Sequence, residues 1–382
     1  MNNIKKICVI ADGYPSQNRI VNTFVEELII NFSKFGVECI VIAPQSITKS
    51  IKWKYKLNKL FRYEKNIAVY SPYCITIPSK TTFFSKLNYF SFKIAVKHVF
   101  NKLYKNNTFD AIYSHFLFPA GMAASFLSKK YNIPSFVAYG ESSDFSIKYL
   151  GIETTKKRLA NINGVIAVST KNKNILIQNS IFSNSIIHVF PNGVDHSVFN
   201  KSNSNMRNKL GIQKKDFIII FVGRFIESKG INTLIKAIDV INRDKILVKS
   251  IFIGSGPIKP SCRGMIFSGS VPHHKLSEYL NMADVFILPT KAEGCCNAIV
   301  EAMACGLPII SSNLPFNYDI LDNDNAILIN PDSIQEIIDA ILLLKNNPDK
   351  KMNLASNSYV KSKELDIKTR AEQILKFMGE RL

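Results

Sequence analysis

The sequence predicts an α/β protein built from two domains, each with a parallel sheet. The chain has 382 residues, which is more than one ordinary domain needs. Short apolar runs, typical of strands that are covered on both faces, alternate with segments of helical character. This alternation occurs twice along the chain. A polar stretch with little periodicity, residues 192–216, separates the two series and marks the expected junction.

The first series of elements starts near the N-terminus. Residues 6–11 form the first predicted strand, and a loop at 13–18 follows it. The next predicted element is a helix at 21–35 that ends at Gly36. A second strand follows this helix. The remaining elements predicted in this half are strands at 39–43, 111–113, 135–138 and 165–168 and a helix at 120–131.

The second series starts with an apolar strand at 217–222 that leads into a helix at 231–240. A further strand is predicted at 283–289, followed by a loop and by a helix that ends near Cys305. Gly306 suits the left-handed position after that helix, and Pro308 cannot continue it. The alternation reaches Ile329, and two more helices are predicted at 333–345 and 368–378.

Two basic residues follow the strand at 217–222. Gly223 ends this strand, Arg224 emerges at its carboxyl end, and Lys229 stands just before the next helix. In open α/β sheets ligands bind outside the carboxyl ends of the strands. A guanidinium and an ammonium group at this place suit a diphosphate.

Two carboxylates accompany the second strand–helix unit. Glu293 stands in the loop before the helix that ends near Cys305, and Glu301 stands within that helix. The first amides of the helix are unpaired donors that suit phosphate oxygens. Because a carboxylate repels a diphosphate, both glutamates are better explained as acceptors for sugar hydroxyls.

The spacing of these residues resembles that of a known enzyme family. Arg224 and Lys229 match its R-x4-K pattern, and Glu293 and Glu301 match its E-x7-E pattern. Its P-N-G-V-D segment and its G-x-G-P loop have counterparts at residues 191–195 and 254–257. The chain therefore resembles a retaining glycosyltransferase of the GT-B fold, in the large family-4-type group known as glycosyl transferases group 1. The resemblance is strongest over residues 165–345.

The resemblance implies two Rossmann-like domains that face each other across a cleft. Residues 1–195 are the expected acceptor-binding domain, which the C-terminal helix at 366–382 rejoins. Residues 196–365 are the expected nucleotide-sugar-binding domain. No cofactor and no metal ion are expected. The D-x-D-like sequence Asp322-Asn323-Asp324 lies in a polar turn and is not expected to bind metal.

The resemblance also implies roles for single residues. Arg224 and Lys229 are expected to bind the donor diphosphate, Glu293 the transferred sugar and Glu301 the ribose of the nucleotide. The other residues expected at the donor are Gly13, Gly223, Gly254, Gly256, Gly294, Cys295, Cys296, Asn297 and Ala298.

The first half of the chain carries the candidates for the acceptor side. His115 opens a segment similar to the H-x-x-x-P-x-G stretch of relatives, in which a residue touches the transferred sugar. We therefore count His115 among the catalytic candidates, beside the alternative that it is a structural histidine. Tyr139 stands where relatives of this group have a histidine. Glu141 and Asp144 follow it as candidate acceptor contacts.

The formal net charge of +20 is concentrated in the first half. Residues 49–65 contain seven basic residues and one acidic residue, interleaved with aromatic and aliphatic side chains. A second stretch, 83–104, has a similar composition. Basic residues beside apolar ones favour an anionic membrane surface. A core helix with a solvated face remains open as an alternative, and RNA is disfavoured because no nucleic-acid-binding motif is present.

These observations predict a metal-independent, retaining glycosyltransferase that uses a UDP- or GDP-sugar. The acceptor is expected to be a lipid-linked glycan in bacterial surface polysaccharide biosynthesis, such as capsule or O-antigen. Because the apolar run after Lys6 is too short for a signal peptide, we expect a cytoplasmic protein, peripheral at the inner face of the membrane. A nucleotide-sugar 2-epimerase and a non-enzymatic module that binds sugar nucleotides or membranes remain alternatives.

Overall fold

The computed structural model describes residues 4–16, 21–54, 56–77 and 82–382, without the side chains of Trp53, Thr82 and Phe83. Residues 17–18 of the first predicted loop and Tyr55 of the first basic stretch lie outside the described residues. The chain divides into two compact units. Unit 1 comprises Met1–Phe190 and Ile367–Leu382, and unit 2 comprises Pro191–Asp366.

Unit 1 is an α/β domain. Its strands are β1 (Lys6–Ile10), β2 (Glu38–Ile42), β3 (Gln45–Ser46), β4 (Phe61–Glu64), β5 (Ile67–Tyr70), β6 (Tyr73–Cys74), β7 (Ala111–His115), β8 (Ser135–Tyr139), β9 (Gly164–Ala167) and β10 (Ile187–Val189). Its helices before residue 190 are α1 (Thr23–Lys34), α2 (Ile47–Trp53), α3 (Thr82–Tyr104), α4 (Met122–Tyr131), α5 (Phe145–Leu150), α6 (Ile152–Arg158) and α7 (Thr170–Gln178).

The main sheet of unit 1 has the order β10-β9-β8-β7-β1-β2-β5-β4 within the described residues. All neighbouring pairs are parallel except β4 and β5, which are antiparallel. Successive side chains of a strand point to opposite faces. Ile7 and Val9 accordingly belong to one core cluster, and Cys8 and Ile10 belong to another. Because both faces are covered, the strand sequence is continuously apolar.

Unit 2 is a second α/β domain. Its strands are β11 (Ile218–Val222), β12 (Lys249–Ile253), β13 (Met265–Gly269), β14 (Val285–Leu288), β15 (Ile309–Ser312) and β16 (Ala326–Ile329). Its helices are α8 (Met206–Lys209), α9 (Ile231–Ile241), α10 (His273–Leu280), α11 (Asn297–Ala304), α12 (Ile334–Asn346) and α13 (Pro348–Glu364). As far as the described residues show, its strands form one parallel sheet in the order β13-β12-β11-β14-β15-β16. This is the doubly wound Rossmann order.

The last helix, α14 (Ile367–Gly379), belongs to unit 1. Ile374, Leu375 and Met378 are buried in the same core cluster as Leu28 and Phe32 of α1. Each such side chain contributes about 1.5–3 kcal/mol when it is fully buried. The apolar stripe of α14 therefore accounts for the return of the chain to the first domain.

The boundary between the units differs by a few residues from the predicted division at 195. It follows Phe190, because the next segment bonds within unit 2. Asn192 donates a hydrogen bond to the carbonyl of Cys295 at 3.0 Å, and the amide of Val194 donates to the carbonyl of Leu365 at 2.8 Å. The second crossing falls after Asp366 rather than before it, since that residue forms a bridge with Val194.

Candidate active site

The candidate donor site lies at the carboxyl edge of the unit 2 sheet. Strands β12 and β13 extend the sheet on one side of β11, and β14 to β16 extend it on the other. The strand order therefore reverses between β11 and β14, and ligands bind at such a switch point. Arg224 and Lys229 follow β11, and Glu293 follows β14. The sheet topology thus brings the two predicted motifs to one edge.

Lys229 and Glu293 form an ion pair in which the ammonium group donates to Oε1 of the carboxylate. Their side chains are only 13% and 12% exposed. Thr290, directly after β14 and Pro289, donates a hydrogen bond to the same Oε1 at 3.1 Å. The two motifs therefore meet through opposite charges. A buried charge without a partner is costly, so each member of the pair stabilises the other.

Arg224 has a different environment. Its side chain is exposed, and its guanidinium makes no hydrogen bond or ion pair with any residue that the structure describes. The site therefore combines one cation that already has a partner, Lys229, with one that is available to a ligand. Such an available cation beside the switch point suits an anionic ligand.

The loop after β12 packs tightly against the end of β11. The amide of Gly223 donates to the carbonyl of Ile253 at 2.9 Å, and the amide of Phe225 donates to that of Ser255 at 2.8 Å. A Cβ atom on Gly254 would lie 1.8 Å from the Gly223 oxygen, and one on Gly256 would lie 2.3 Å from the Phe225 oxygen. Both glycines are therefore required for backbone packing, whatever they contribute to donor binding.

The N-terminus of α11 follows the buried residues Glu293, Gly294, Cys295 and Cys296. Cys296 precedes the helix and provides no side-chain cap, so the first amides of α11 keep their capacity to bind a ligand. The side-chain amide of Asn192 donates to the carbonyl of Cys295 at 3.0 Å and to Oδ1 of Asn297 at 2.7 Å. Asn192 thus holds the loop in place, a role that the P-N-G-V-D segment did not indicate from sequence.

Glu301 lies in α11 and accepts a hydrogen bond from the side chain of His273 at 2.9 Å. The glutamate side chain is 12% exposed, and the histidine side chain is 41% exposed. His273 is the first residue of α10 and also contacts the ring of Phe199, at 5.2 Å between centroids. Sequence reasoning missed His273, because nothing in the linear pattern connects it with a residue 28 positions away.

Unit 1 has its own switch point, between β1 and β7, and two predicted residues lie there. Gly13 follows β1, where the side chain of Asn22 donates to its carbonyl at 3.2 Å. His115 ends β7 and is 4% exposed. Burial, with a smaller contribution from Arg370, lowers the pKa of His115 to about 3, so the imidazole is neutral at pH 7. Its Nδ1 lies 3.3 Å from the Tyr113 hydroxyl.

The other acceptor-side candidates lie at the end of β8 and just beyond it, in the same unit. The hydroxyl of Tyr139 is buried and has no hydrogen-bond partner among the described residues. The Glu141 side chain accepts a hydrogen bond from Ser146, and burial raises its pKa to about 7. Asp144 forms an ion pair with Lys148 at 2.9 Å.

The raised pKa of Glu141 predicts a pH-dependent effect of Glu141→Gln. Folding raises this pKa from 4.5 to about 7, so the ionised carboxylate costs stability above pH 7 and the cost disappears below pH 4.5. We expect the glutamine variant to gain up to about 3 kcal/mol in unfolding free energy at pH 8 and little at pH 4.5. Denaturant titrations of wild type and variant at both pH values measure this difference. Both proteins contain His115, so the effect of its protonation on stability cancels in the comparison. A gain that does not change with pH contradicts it.

Two family profiles match adjacent parts of the chain. The profile described as Glycosyltransferase Family 4 matches residues 21–198, and that described as Glycosyl transferases group 1 matches residues 202–361. The chain belongs to the group 1 glycosyltransferases. The predicted family and the predicted fold class, GT-B, are thereby confirmed, and this glycosyltransferase is an enzyme of sugar transfer.

Relatives of known name cover three quarters or more of the glycosyltransferase. A putative teichuronic acid biosynthesis glycosyltransferase, TuaC of Bacillus subtilis, is 26% identical over 93% of this chain and 92% of its own. The alpha-monoglucosyldiacylglycerol synthase of Acholeplasma laidlawii is 26% identical over 76% of this chain and 80% of its own. Among solved structures, Anabaena HepE in complex with UDP-glucose has a TM-score of 0.72 at 18% identity, with 97% of this chain and 98% of HepE covered. This last likeness concerns the fold.

Proposed function

We propose that this glycosyltransferase moves a sugar from a UDP- or GDP-sugar to a glycan acceptor, with retention of the anomeric configuration. The observation that carries the proposal is the meeting of both motifs at the unit 2 switch point, where Lys229 contacts Glu293 and Arg224 is available. The solved complex of HepE with UDP-glucose supports a nucleotide-sugar donor.

In this proposal the residues divide the donor among them. The Arg224 and Lys229 side chains and the first amides of α11 hold the diphosphate. Glu293 accepts hydrogen bonds from the sugar, and Glu301, oriented by His273, accepts them from the ribose. Carboxylates suit hydroxyls because hydrogen bonds to a charged acceptor are stronger than neutral ones.

The chemical step needs charge stabilisation more than covalent help. The bond from the anomeric carbon to the phosphate oxygen breaks, the acceptor oxygen bonds to that carbon, and its proton passes to the leaving phosphate. Negative charge grows on the diphosphate during this step, where Arg224, Lys229 and the helix amides are already in place. Attack on the same face of the sugar, which the family resemblance implies, gives retention.

We propose that the acceptor is lipid-linked and belongs to surface-polysaccharide biosynthesis, such as capsule or O-antigen. TuaC, named for teichuronic acid biosynthesis, and the Acholeplasma synthase, named for a glucosyl diacylglycerol, support this assignment. Within the described part of the chain, no helix combines the length and apolarity needed to cross a bilayer. We propose a peripheral location, at the anionic inner face of the cytoplasmic membrane, through the basic residues of unit 1.

Activity should persist in excess EDTA, because the cations and helix amides neutralise the leaving group without a metal ion. In the D-x-D-like sequence, the carboxylate of Asp322 accepts hydrogen bonds from the amides of Asp324 at 2.9 Å and Asn325 at 3.2 Å, as expected for a turn. The test is product analysis with UDP- and GDP-sugars and lipid-linked acceptors, with and without chelator. Complete loss on chelation, reversed by magnesium or manganese, would refute metal independence. Absence of any glycosylated product across the donor panel would refute the proposed transfer.

A further inference from the structure

Unit 1 contains an open cavity of about 850 Å³ that is separate from the residues of the donor site. Its lining residues come from helix α3, the β4–β5 hairpin, the region around β6 and the start of α2. The volume lies in the range of sites that hold small organic ligands, about 300–1,000 Å³. We call this cavity the α3 groove. The side chains that dominate its lining are Leu60, Phe61, Ile75, Phe90, Ile94 and Val99.

The apolar lining of the α3 groove is exposed to a degree that folding does not explain. Phe61, Ile75, Phe90 and Ile94 are 49%, 55%, 56% and 49% exposed. Helix α3 already covers the core with a different face, which includes Phe92, Val96 and Phe100. The helix therefore has two apolar faces, and only one of them packs in the domain. Contiguous exposed apolar surface of this kind marks an interaction site.

The charge around the groove is complementary to an anion. Residues 44–109, which include all the groove residues, contain thirteen lysines and arginines and a single acidic residue, Glu64. That carboxylate is paired with Arg62 at 3.0 Å. Lys52, Lys54, Lys56 and Lys59 are exposed, and no ion pair is found for them among the described residues. Lys102 and His98 lie in the lining itself.

The combination of an aliphatic groove with an unbalanced cationic surround points to a ligand with two chemical parts. The lining needs a hydrocarbon occupant, and the lysines need a negative charge beside it. RNA lacks the aliphatic part, since its bases stack on aromatic faces whereas much of this lining is leucine, isoleucine and valine. A second copy of this chain is a poor occupant, because it also carries a net charge of +20 and would place positive charge beside positive charge.

We propose that the α3 groove takes up one acyl chain of an anionic membrane phospholipid, while the surrounding lysines bind the headgroup layer. The proposal rests on the membrane partner in the proposed function and adds a defined hydrocarbon site to it. Each methylene group removed from water tightens association roughly fourfold. Each lysine near an anionic surface contributes roughly fivefold. Groove and charge together hold the domain on the bilayer without a spanning helix.

The test measures the binding of a groove variant, a charge variant and a matched control to phosphatidylglycerol vesicles. The groove variant, Phe90→Ser with Ile94→Ser, should bind about tenfold or more weakly than wild type at physiological salt, and its residual binding should disappear as salt rises. The charge variant, with Lys52, Lys54, Lys56 and Lys59 changed to Glu, should lose binding at any salt. The matched control is Ile152→Ser, at a residue that is 41% exposed in the same unit and outside the groove.

Quenching by lipids brominated on the acyl chain reports insertion directly. The chain has a single tryptophan, Trp53, at the end of α2, whose first residue, Ile47, lines the groove. Bromolipid should quench its emission in wild type and in Ile152→Ser, and quench it much less in the groove variant. Equal binding and quenching in wild type and the groove variant overturn the proposal. A wild-type protein that is oligomeric in the absence of vesicles, with a groove variant that is monomeric, overturns it as well, because the groove would then be an interface between copies of this chain.

Binding of nucleoside diphosphate separates this proposal from the proposed function. Every donor residue of unit 2 lies outside the groove, so calorimetry with UDP or GDP should give the same affinity in wild type and in the groove variant. A protein that binds the nucleotide but not the vesicles refutes the groove and the proposed membrane location, and it leaves the donor site of the proposed function intact. One that binds vesicles through the groove but binds no nucleotide refutes only the donor site.

Discussion

Replacing Arg224 or Lys229 with alanine should lower turnover by about 10²–10³-fold, as removal of other groups that stabilise developing charge does. Both residues lie at the switch point of the unit 2 sheet, where the leaving diphosphate is proposed to sit. Initial rates at saturating donor measure the effect. The exposed Lys236 in α9 offers a matched control, since Lys236→Ala removes a lysine of the same unit that forms no ion pair with the described residues.

The two variants should differ in stability. Arg224 is exposed and has no partner among the described residues, so its loss should leave the unfolding free energy almost unchanged. Lys229→Ala leaves the carboxylate of Glu293 buried without its cation and should cost about 1–3 kcal/mol. Thermal denaturation alongside the rates separates the two effects. Turnover within twofold of wild type in both variants would show that neither cation acts on the diphosphate.

The two glutamates should affect different steps. Glu301→Ala should weaken binding of the nucleoside diphosphate by about 10–100-fold, because hydrogen bonds to a charged acceptor contribute about 1.5–3 kcal/mol. Glu293→Ala should slow transfer by about 10²-fold and leave nucleotide binding nearly intact, since the sugar is the only part of the donor that Glu293 is proposed to contact. The basis is their placement, Glu301 in α11 beside His273 and Glu293 in the loop before it, in contact with Lys229.

Calorimetry with the free nucleoside diphosphate and rate measurements on the same preparations resolve these effects. Glu278→Ala is a suitable control, because Glu278 is a partly exposed carboxylate of α10 that pairs at 3.7 Å with Lys209. If Glu293→Ala abolishes nucleotide binding while Glu301→Ala affects only transfer, the two ends of the donor are assigned in the wrong order.

Much of the fold follows from local rules that the sequence exposes. The strand predicted at 217–222 is observed as β11, which is one residue shorter. It could be predicted because a strand that is covered on both faces is continuously apolar. Helix α11 ends at Ala304, next to the predicted end near Cys305, and Gly306 adopts a φ of 72°, the left-handed conformation expected after it. The motifs could be placed from sequence because strand ends, helix starts and glycine caps are all local features.

Helix α13 was not predicted, and its composition explains why. Its buried stripe consists of Leu354, Ser358 and Ser362, so two of the three inward positions are polar and no apolar period is visible. Asn347 caps the helix through a bond from the Lys350 amide at 2.9 Å, and Pro348 occupies its first turn. These start signals are present in the sequence, but without apolar periodicity they do not distinguish a helix from a loop.

The contacts that complete the site depend on tertiary structure. The bond from His273 to Glu301 and the bonds from Asn192 to the α11 loop join residues that are 28 to 105 positions apart. No local pattern encodes such separations. The two apolar faces of α3 also depend on tertiary structure. The pattern of apolar residues along the sequence does not tell which of the two faces the rest of the domain covers.

The central claim is that the switch point of unit 2 holds a diphosphate, and titration calorimetry in EDTA tests it most directly. UDP, GDP and the corresponding monophosphates are titrated into wild type and Lys229→Ala. We predict that at least one diphosphate binds about tenfold or more tightly than its monophosphate, and that Lys229→Ala removes most of this preference. Equal affinities for diphosphate and monophosphate, unchanged in Lys229→Ala, would contradict the account.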